Sequence, residues 1–423
     1  MRIAAAAVIV ALAVGLVACT DSDGGGSRKT AGATTPAPSQ QTKKPAPESG
    51  RSATFDVIKE VDTAAALSAT ADKKFESRYT AKGTAPGGHT YTALDVTSDG
   101  RLVVADNPAP ETEAGELRIG QSGVGLHGPA GFRPFPRAQG DCKARPRQAI
   151  YADESDGLIA WTESASTDLY YSDWCVFVHD TRKNSTRLLG DSAPLGKKLP
   201  APPGASIPTI GNKNIFWTVT HPTTDKRKFG VKVVSSPRTG TGKVEDAVTR
   251  AKLPVASGND LYYVRSEDVS PGFPKDRFEV RKLSGTGEDS LVAAGALKGE
   301  QQLSVLAVAG KRVTWVISQP EDETAGLYSL DETTDKALLV KLHHPGLSTM
   351  ALSVTPETIT WGNGSSSGDA GQYVFDLGDQ RLWRIGTEEG YSIVFAKGDF
   401  LAWSQFPNSQ GAGPVSFRTA KWE

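Results

Sequence analysis

The chain is poor in the residues and spacings that carry recognised chemistry. Only three of its 423 residues are cysteine, Cys19, Cys142 and Cys175, and none form a Cys-x-x-Cys pair, which excludes the common zinc and thiol-redox motifs. No His-Glu-x-x-His helix or phosphate loop occurs, so the corresponding metalloprotease and nucleotide chemistries lack their usual signature. Charge of one sign is also lacking. The 47 basic and 48 acidic side chains leave a net charge of -1, which gives no steering field for nucleic acid. Glycine and proline are plentiful, with 44 and 26 residues, the turn-rich profile of an all-β chain.

The longest hydrophobic run stands at the start. Met1 and Arg2 are followed by an apolar stretch from Ile3 to Val14, and Leu16-Val17-Ala18-Cys19 closes it. This reads as a secretory signal over residues 1–18, too short for a committed membrane span. Residues 20–52 contain no aromatic, Val, Ile, Leu or Met. Such a stretch cannot bury enough apolar surface to offset ordering, so 19–52 is expected to be a disordered Gly/Ser/Pro/Thr tether.

The body, residues 53–423, repeats. A turn, an apolar residue, any residue and usually an aromatic recur, ending at Val104, Trp161, Trp217, Tyr263, Trp315, Trp361 and Trp403. The spacings are 57, 56, 46, 52, 46 and 42 residues, and five of the eight tryptophans share this one register. A period of this size fits four-stranded propeller blades. The expected fold is therefore a single all-β propeller of seven four-stranded blades, with six as the neighbouring count. The Trp residues are assigned to the core between blades. The last repeat is one strand short. The missing strand is expected from Ala53–Lys59 or Phe75–Ala81, with a short helix within 60–74. Asp153–Gly157 is read as a hairpin turn.

Cys142 and Cys175 are expected to pair. A disulfide closing 33 residues contributes roughly 3 to 4 kcal/mol on loop-entropy grounds. No catalytic residues, metal ligands or cofactor are assigned. Of the six histidines only His343-His344 are adjacent, and neighbours on a strand face opposite ways. The acidic groups at 153–156, 267–268 and 321–323 lack calcium-loop spacing. Candidate binding residues come from three long connections: Phe132, Arg133, Phe135 and Arg137 in 120–147, Lys226 and Arg227 in 221–228, and Phe273 in 267–277. Exposed Phe beside Arg suits a partner surface.

The apolar-x-Trp strands resemble those of TolB-like and YVTN-like propellers, though the Gly-His and Trp-Asp pairs of WD repeats do not recur. The Leu-Val-Ala-Cys ending resembles a bacterial lipobox, and with the tether it resembles lipoproteins of high-GC Gram-positive bacteria. The resemblance implies acylation of Cys19, anchorage at the outer face of the cell membrane and a binding role. The expected partner besides membrane lipid is an extracellular protein or cell-wall polymer, with no nucleic acid. The competing expectation is a lyase or hydrolase acting on a glycan or peptide in the channel, with His127, Asp153, His221 and Glu267 as residues the blade ends could gather.

Overall fold

Each repeat becomes the second of four antiparallel strands in a sheet of the computed structural model, two of the sheets gaining a fifth, parallel strand. The structure describes residues 55–69, 74–109, 111–113, 116–118, 120–138, 142, 147–164, 173–192, 199, 207–223, 229–240, 242–266, 277–299, 301–318, 324–343, 351–363, 371–386, 393–405 and 415–423. Residues 1–54, which include the expected signal segment, Cys19 and the expected tether, therefore lie outside it.

Seven sheets form seven blades, numbered here in chain order. Their innermost strands are Thr90–Val96, Gln148–Ser155, Thr209–Ile210, Ala251–Ser257, Gln302–Ala309, Ser353–Val354 and Val394–Lys397. The second strands are Leu102–Asn107, Leu158–Ser164, Asn214–Pro222, Asp260–Arg265, Arg312–Ser318, Thr358–Asn363 and Phe400–Gln405. Successive innermost strands touch, and that of blade 7 touches that of blade 1, which closes the ring. The count of seven is thus met.

The second strands carry the core. Trp161, Trp217, Trp315, Trp361 and Trp403 are all buried, four of them at 1% exposure or less. Alternation along a strand sends successive side chains to opposite faces. The residues of each second strand therefore wedge against both neighbouring blades: Trp217 packs with Leu158 and Val176 of blade 2, while Phe216 packs with Leu261 and Tyr263 of blade 4. Aromatic pairs such as Trp361 with Tyr373, 5.5 Å between centroids, fill the sheet surfaces. Blade 2 is built from Gln148–Ser155, Leu158–Ser164, Trp174–Asp180 and Ser185–Asp191. Its first turn is shorter than expected, because Asp153 stays in the innermost strand. Only Asp156 (φ 50°) and Gly157 (φ 75°) make the turn. Positive φ at both central positions suits Asp-Gly.

The missing strand of blade 7 is Phe75–Lys82. It pairs antiparallel with Ser416–Trp422 as the outermost strand. Of the two expected segments this is the one that closes the ring. The other, Asp56–Asp62, runs parallel to Lys336–His343 as a fifth strand on blade 5. Between them, among the described residues of 60–74, the chain makes a 3-10 turn, Thr63–Ala65, with Asp62 accepting from Ala64 N at 2.8 Å, and Lys74 is helical. Leu67–Ser68 then adds to the edge of blade 6. The free edges of two blades give this backbone its hydrogen-bond partners. The N-terminal residues thus belt the outside of blades 5, 6 and 7.

Cys142 and Cys175 form a disulfide. Cys175 is fully buried and lies opposite Glu163 in blade 2. The bond fastens the connection after blade 1 onto blade 2. Replacing the pair by Cys142→Ser with Cys175→Ala is expected to cost about 3 kcal/mol. Urea denaturation would read the loss, and reductant should lower the wild-type midpoint while leaving the variant unchanged.

Candidate functional site

Strand order decides what each end of the ring offers. Connections from the first to the second strand, and from the third to the fourth, emerge at one end. Those from the second to the third, and from each blade to the next, emerge at the other. The first end is made of short turns, of which the longest is 238–244. The second end takes the connections 108–122, 135–147, 165–173, 192–208, 266–276, 344–352 and 406–415. A scaffold of rigid sheets with its long connections gathered at one end has the layout of a binding face.

The residues expected to bind divide accordingly. The segment read as one long connection, 120–147, contains two strands of blade 1, Gly123–Gly128 and Gly131–Pro134. Phe132 packs against Tyr91, 5.1 Å between centroids. Phe135 stacks on His179 at 3.9 Å and tilts against Trp161 at 5.8 Å. Both rings are half-buried in these contacts. Arg133 and Arg137 are exposed beside them. Lys226, Arg227 and Phe273 lie outside the described residues. His179 lies in this packed layer, with Nδ1 3.0 Å from Thr186 Oγ1. Burial holds its imidazole down at about 4, so it is neutral at pH 7.

The residues expected to gather for catalysis stand on different elements. His127 is on the third strand of blade 1, between the rings of Tyr79 and Tyr91. His221 is the penultimate residue of the second strand of blade 3, with Nδ1 3.0 Å from the Pro222 carbonyl. His343 ends the fourth strand of blade 5, while His344 and Glu267 lie outside the described residues. Among the described residues no three His, Cys, Asp or Glu side chains are gathered as a metal would need.

Two buried polar groups mark the long-connection end. Glu163 accepts from Trp161 Nε1 at 2.8 Å and Gln121 Nε2 at 3.3 Å, and burial pushes its carboxyl up. Lys252, on the innermost strand of blade 4, is 7% exposed, and burial holds its ammonium down at about 8. Arg250 and Leu253 on either side of it take φ of 54° and 51°, a left-handed backbone that bulky residues adopt only under tertiary constraint. On the same blade Glu279 is ringed by Arg265, Arg277 and Arg281. Arg265 and Arg277 keep 47% and 64% of their side-chain surface.

The channel holds one constellation that the sequence reading missed. Lys397 of blade 7 sets Nζ 2.7 Å from Asp153 of blade 2 and 3.7 Å from Asp95 of blade 1. The first pair skips a blade, which only side chains aimed at the axis can do. Asp153 Oδ2 also accepts from Ile210 N of blade 3 at 2.8 Å. Glu154 accepts from Ser98 N of blade 1 at 3.1 Å. Burial first, then the negative charges of Asp153 and Glu154, push the Asp95 carboxyl up to about 7, against the opposing pull of Lys397. Lys397 is held charged above its ordinary value by Asp153 and Asp95, which outweigh its desolvation. The available signal was charge at the ends of three innermost strands: Asp95, Asp153 and Lys397. Reading 153–157 as a turn hid it.

The raised Asp95 carboxyl has a pH signature. The folded state keeps this proton up to about pH 7, whereas an unfolded aspartate releases it near 4. Between those values the unfolded state binds fewer protons, so this group makes stability fall as pH rises from about 4 to 7. Asp95→Asn is expected to flatten that slope and to change stability at pH 7 by less than about 1 kcal/mol, since Asn mimics the protonated acid. Urea midpoints from pH 4.5 to 8 check it.

No family model matches the chain, and no curated protein matches it in sequence. Its similarities are to solved propellers. One is an oligogalacturonate lyase in complex with manganese, at TM-score 0.48 and 11% identity over 83% of this chain and 98% of that one. Another is the propeller domain of the Trilobed protease from Pyrococcus furiosus, at 0.46 and 7% identity over 75% and 91%. A third is TolB from Acinetobacter baumannii, at 0.36 and 11% identity over 82% and 64%. With the seven closed sheets, the class of the protein is a β-propeller, and a shared fold of this breadth assigns no activity.

Proposed function

We propose that this propeller is a binding module that engages an extracellular protein or envelope polymer through its long-connection end. One observation carries the reading: the long connections leave from one end of the ring, while short turns finish the other. We further propose that the chain is exported and anchored through acylated Cys19. The Cys142–Cys175 disulfide supports an oxidising compartment, where such bonds persist. Two acyl chains hold a protein at a bilayer where one does so marginally.

The test is crosslinked capture from the native envelope. One variant replaces 223–228 and 406–414, at the long-connection end, with short Gly/Ser links. A second replaces 238–244 at the opposite end. A partner kept by the wild type and the second variant but lost by the first is the expected result. Capture that both variants retain, or that none shows, would overturn the reading. Loss of membrane association in Cys19→Ala tests the anchor separately.

Catalysis in the channel is the second reading, and the Asp95 carboxyl favours it. A group that titrates near neutrality can act as a general acid or base. Turnover of a glycan or peptide by the wild type, lost in Asp95→Asn with folding intact, would establish it.

A further inference from the structure

Where blade 6 meets blade 7, four side chains surround one ammonium. Lys74 Nζ lies 3.2 Å from Asp376 Oδ2 and 3.0 Å from Asp379 Oδ2. It stands over the rings of Trp383 and Trp422, at 5.1 and 5.8 Å from the centroids. Trp422 Nε1 donates to Asp376 Oδ2 at 3.1 Å. The other oxygen of Asp376 accepts from Gly378 N and Asp379 N at 2.9 and 3.2 Å. Asp379 Oδ1 accepts from Arg381 N at 3.0 Å, so both carboxylates and the Trp422 indole have hydrogen-bond partners other than the lysine, and Trp383 is packed in the core between the blades. Both indoles are buried, at 8% and 5% exposure, and the lysine side chain keeps 19%.

Indole faces attract cations through the ring quadrupole, most strongly where water is excluded, and paired carboxylates supply the countercharge. This is the composition of an alkylammonium site. Its occupant comes from the belt, one residue before the closing strand, and the Glu423 N–H donates to the Lys74 carbonyl at 2.9 Å. A second belt lysine grips the same turn. Lys59 Nζ donates to the Gln380 carbonyl at 2.7 Å and lies 5.6 Å from the Phe375 centroid. The turn 377–380 thus lies between two ammonium contacts from the N-terminal segment.

We propose that Trp383, Trp422, Asp376 and Asp379 form an alkylammonium-binding cage whose resident ligand is the chain's own Lys74, and that its occupancy latches the closing strand. The site takes a primary ammonium on a slim alkyl stem. A free ligand of that chemistry competes with the latch rather than adding to it.

The experiment uses the full chain with Lys74→Ala and n-propylammonium, the fragment the substitution removes. Amide hydrogen exchange in residues 75–82 is expected to speed by about tenfold or more in the variant, the scale of a partly desolvated cation–π contact with an ion pair. Propylammonium is expected to restore protection saturably, and sodium at equal ionic strength is not. Adding Asp379→Asn should abolish the rescue. Unchanged exchange in Lys74→Ala, or equal rescue by sodium, would overturn the proposal. Should Lys74→Ala fail to fold, Asp379→Asn alone decides. Faster exchange confined to 75–82 supports the latch, and uniform or unchanged exchange refutes it.

Discussion

Lys397→Met is expected to destabilise the propeller by about 3–5 kcal/mol at pH 8. The substitution keeps the stem and removes the charge. What it leaves is Asp153 and Asp95 in the channel, 21% and 11% exposed, without their cation. Breaking a desolvated ion pair from one side is far costlier than never having had it, because the remaining charge stays desolvated. The loss should depend on pH in a way a packing defect would not. Without Lys397 the two carboxylates repel, and one can escape by taking a proton. The variant should therefore recover part of its stability as pH falls from 8 to 5. The wild type, by contrast, should lose the contribution of Lys397 only above about pH 10.5, where the unfolded lysine gives up its proton and the folded one does not. Urea denaturation at pH 5, 8 and 10.5 distinguishes the cases. A variant within 1 kcal/mol of wild type at pH 8 would show that channel water already screens the group. Adding Asp153→Asn should return much of the lost stability, since it removes the unpaired charge.

Removing residues 1–82 is expected to abolish the cooperative unfolding transition. The closing strand does more than supply an edge. Phe75 and Ala81 are each 2% exposed, and Phe75 packs against Trp403 at 5.2 Å. Tyr79 donates its hydroxyl proton to the His127 carbonyl and accepts from Leu102 N at 3.2 Å, both in blade 1. Without the strand, Ser416–Trp422 becomes an open edge with unpaired N–H and C=O groups, a template for aggregation. A shorter deletion, residues 1–69, removes only the additions to blades 5 and 6. It should leave a folded ring of lower stability. Calorimetry with light scattering checks both: a sharp endotherm from the chain lacking 1–82 would show that three strands suffice to close blade 7.

The repeat in sequence disclosed the ring because its signal is local. A strand buried on both faces must be apolar throughout, with one large aromatic to fill the wedge between blades. Trp161, Trp217, Trp315, Trp361 and Trp403 all sit at that position. The cysteine pair was legible for a similar reason: only two remained once Cys19 was set aside. Closure was legible as a deficit of one strand, though two segments could fill it. Phe75, apolar at the point where the strand meets Trp403, is what separates them, while Val57 and Ile58 stay 38% and 63% exposed. The site residues resisted reading because they act across the axis. Lys397 and Asp153 are 244 residues apart, and nothing near either one names the other. Phe132 and Phe135, aromatics among prolines and arginines, look fully exposed in sequence, yet both are half-buried. Each finds its neighbours on strands more than 25 residues away: Tyr91, Trp161 and His179.

The parallel strand on blade 5 sets how the molecule bears load. Any tension arriving from the residues before Phe55 first meets Asp56–Asp62. That strand lies alongside Lys336–His343 in the same direction. A pull along its length stretches its row of hydrogen bonds all at once, in shear, instead of opening them one by one like a zip. The strain is spread into a complete sheet before it reaches Phe75–Lys82, whose detachment would open the ring. A propeller held at a surface by its N terminus would then yield last at the seam on which its shape depends.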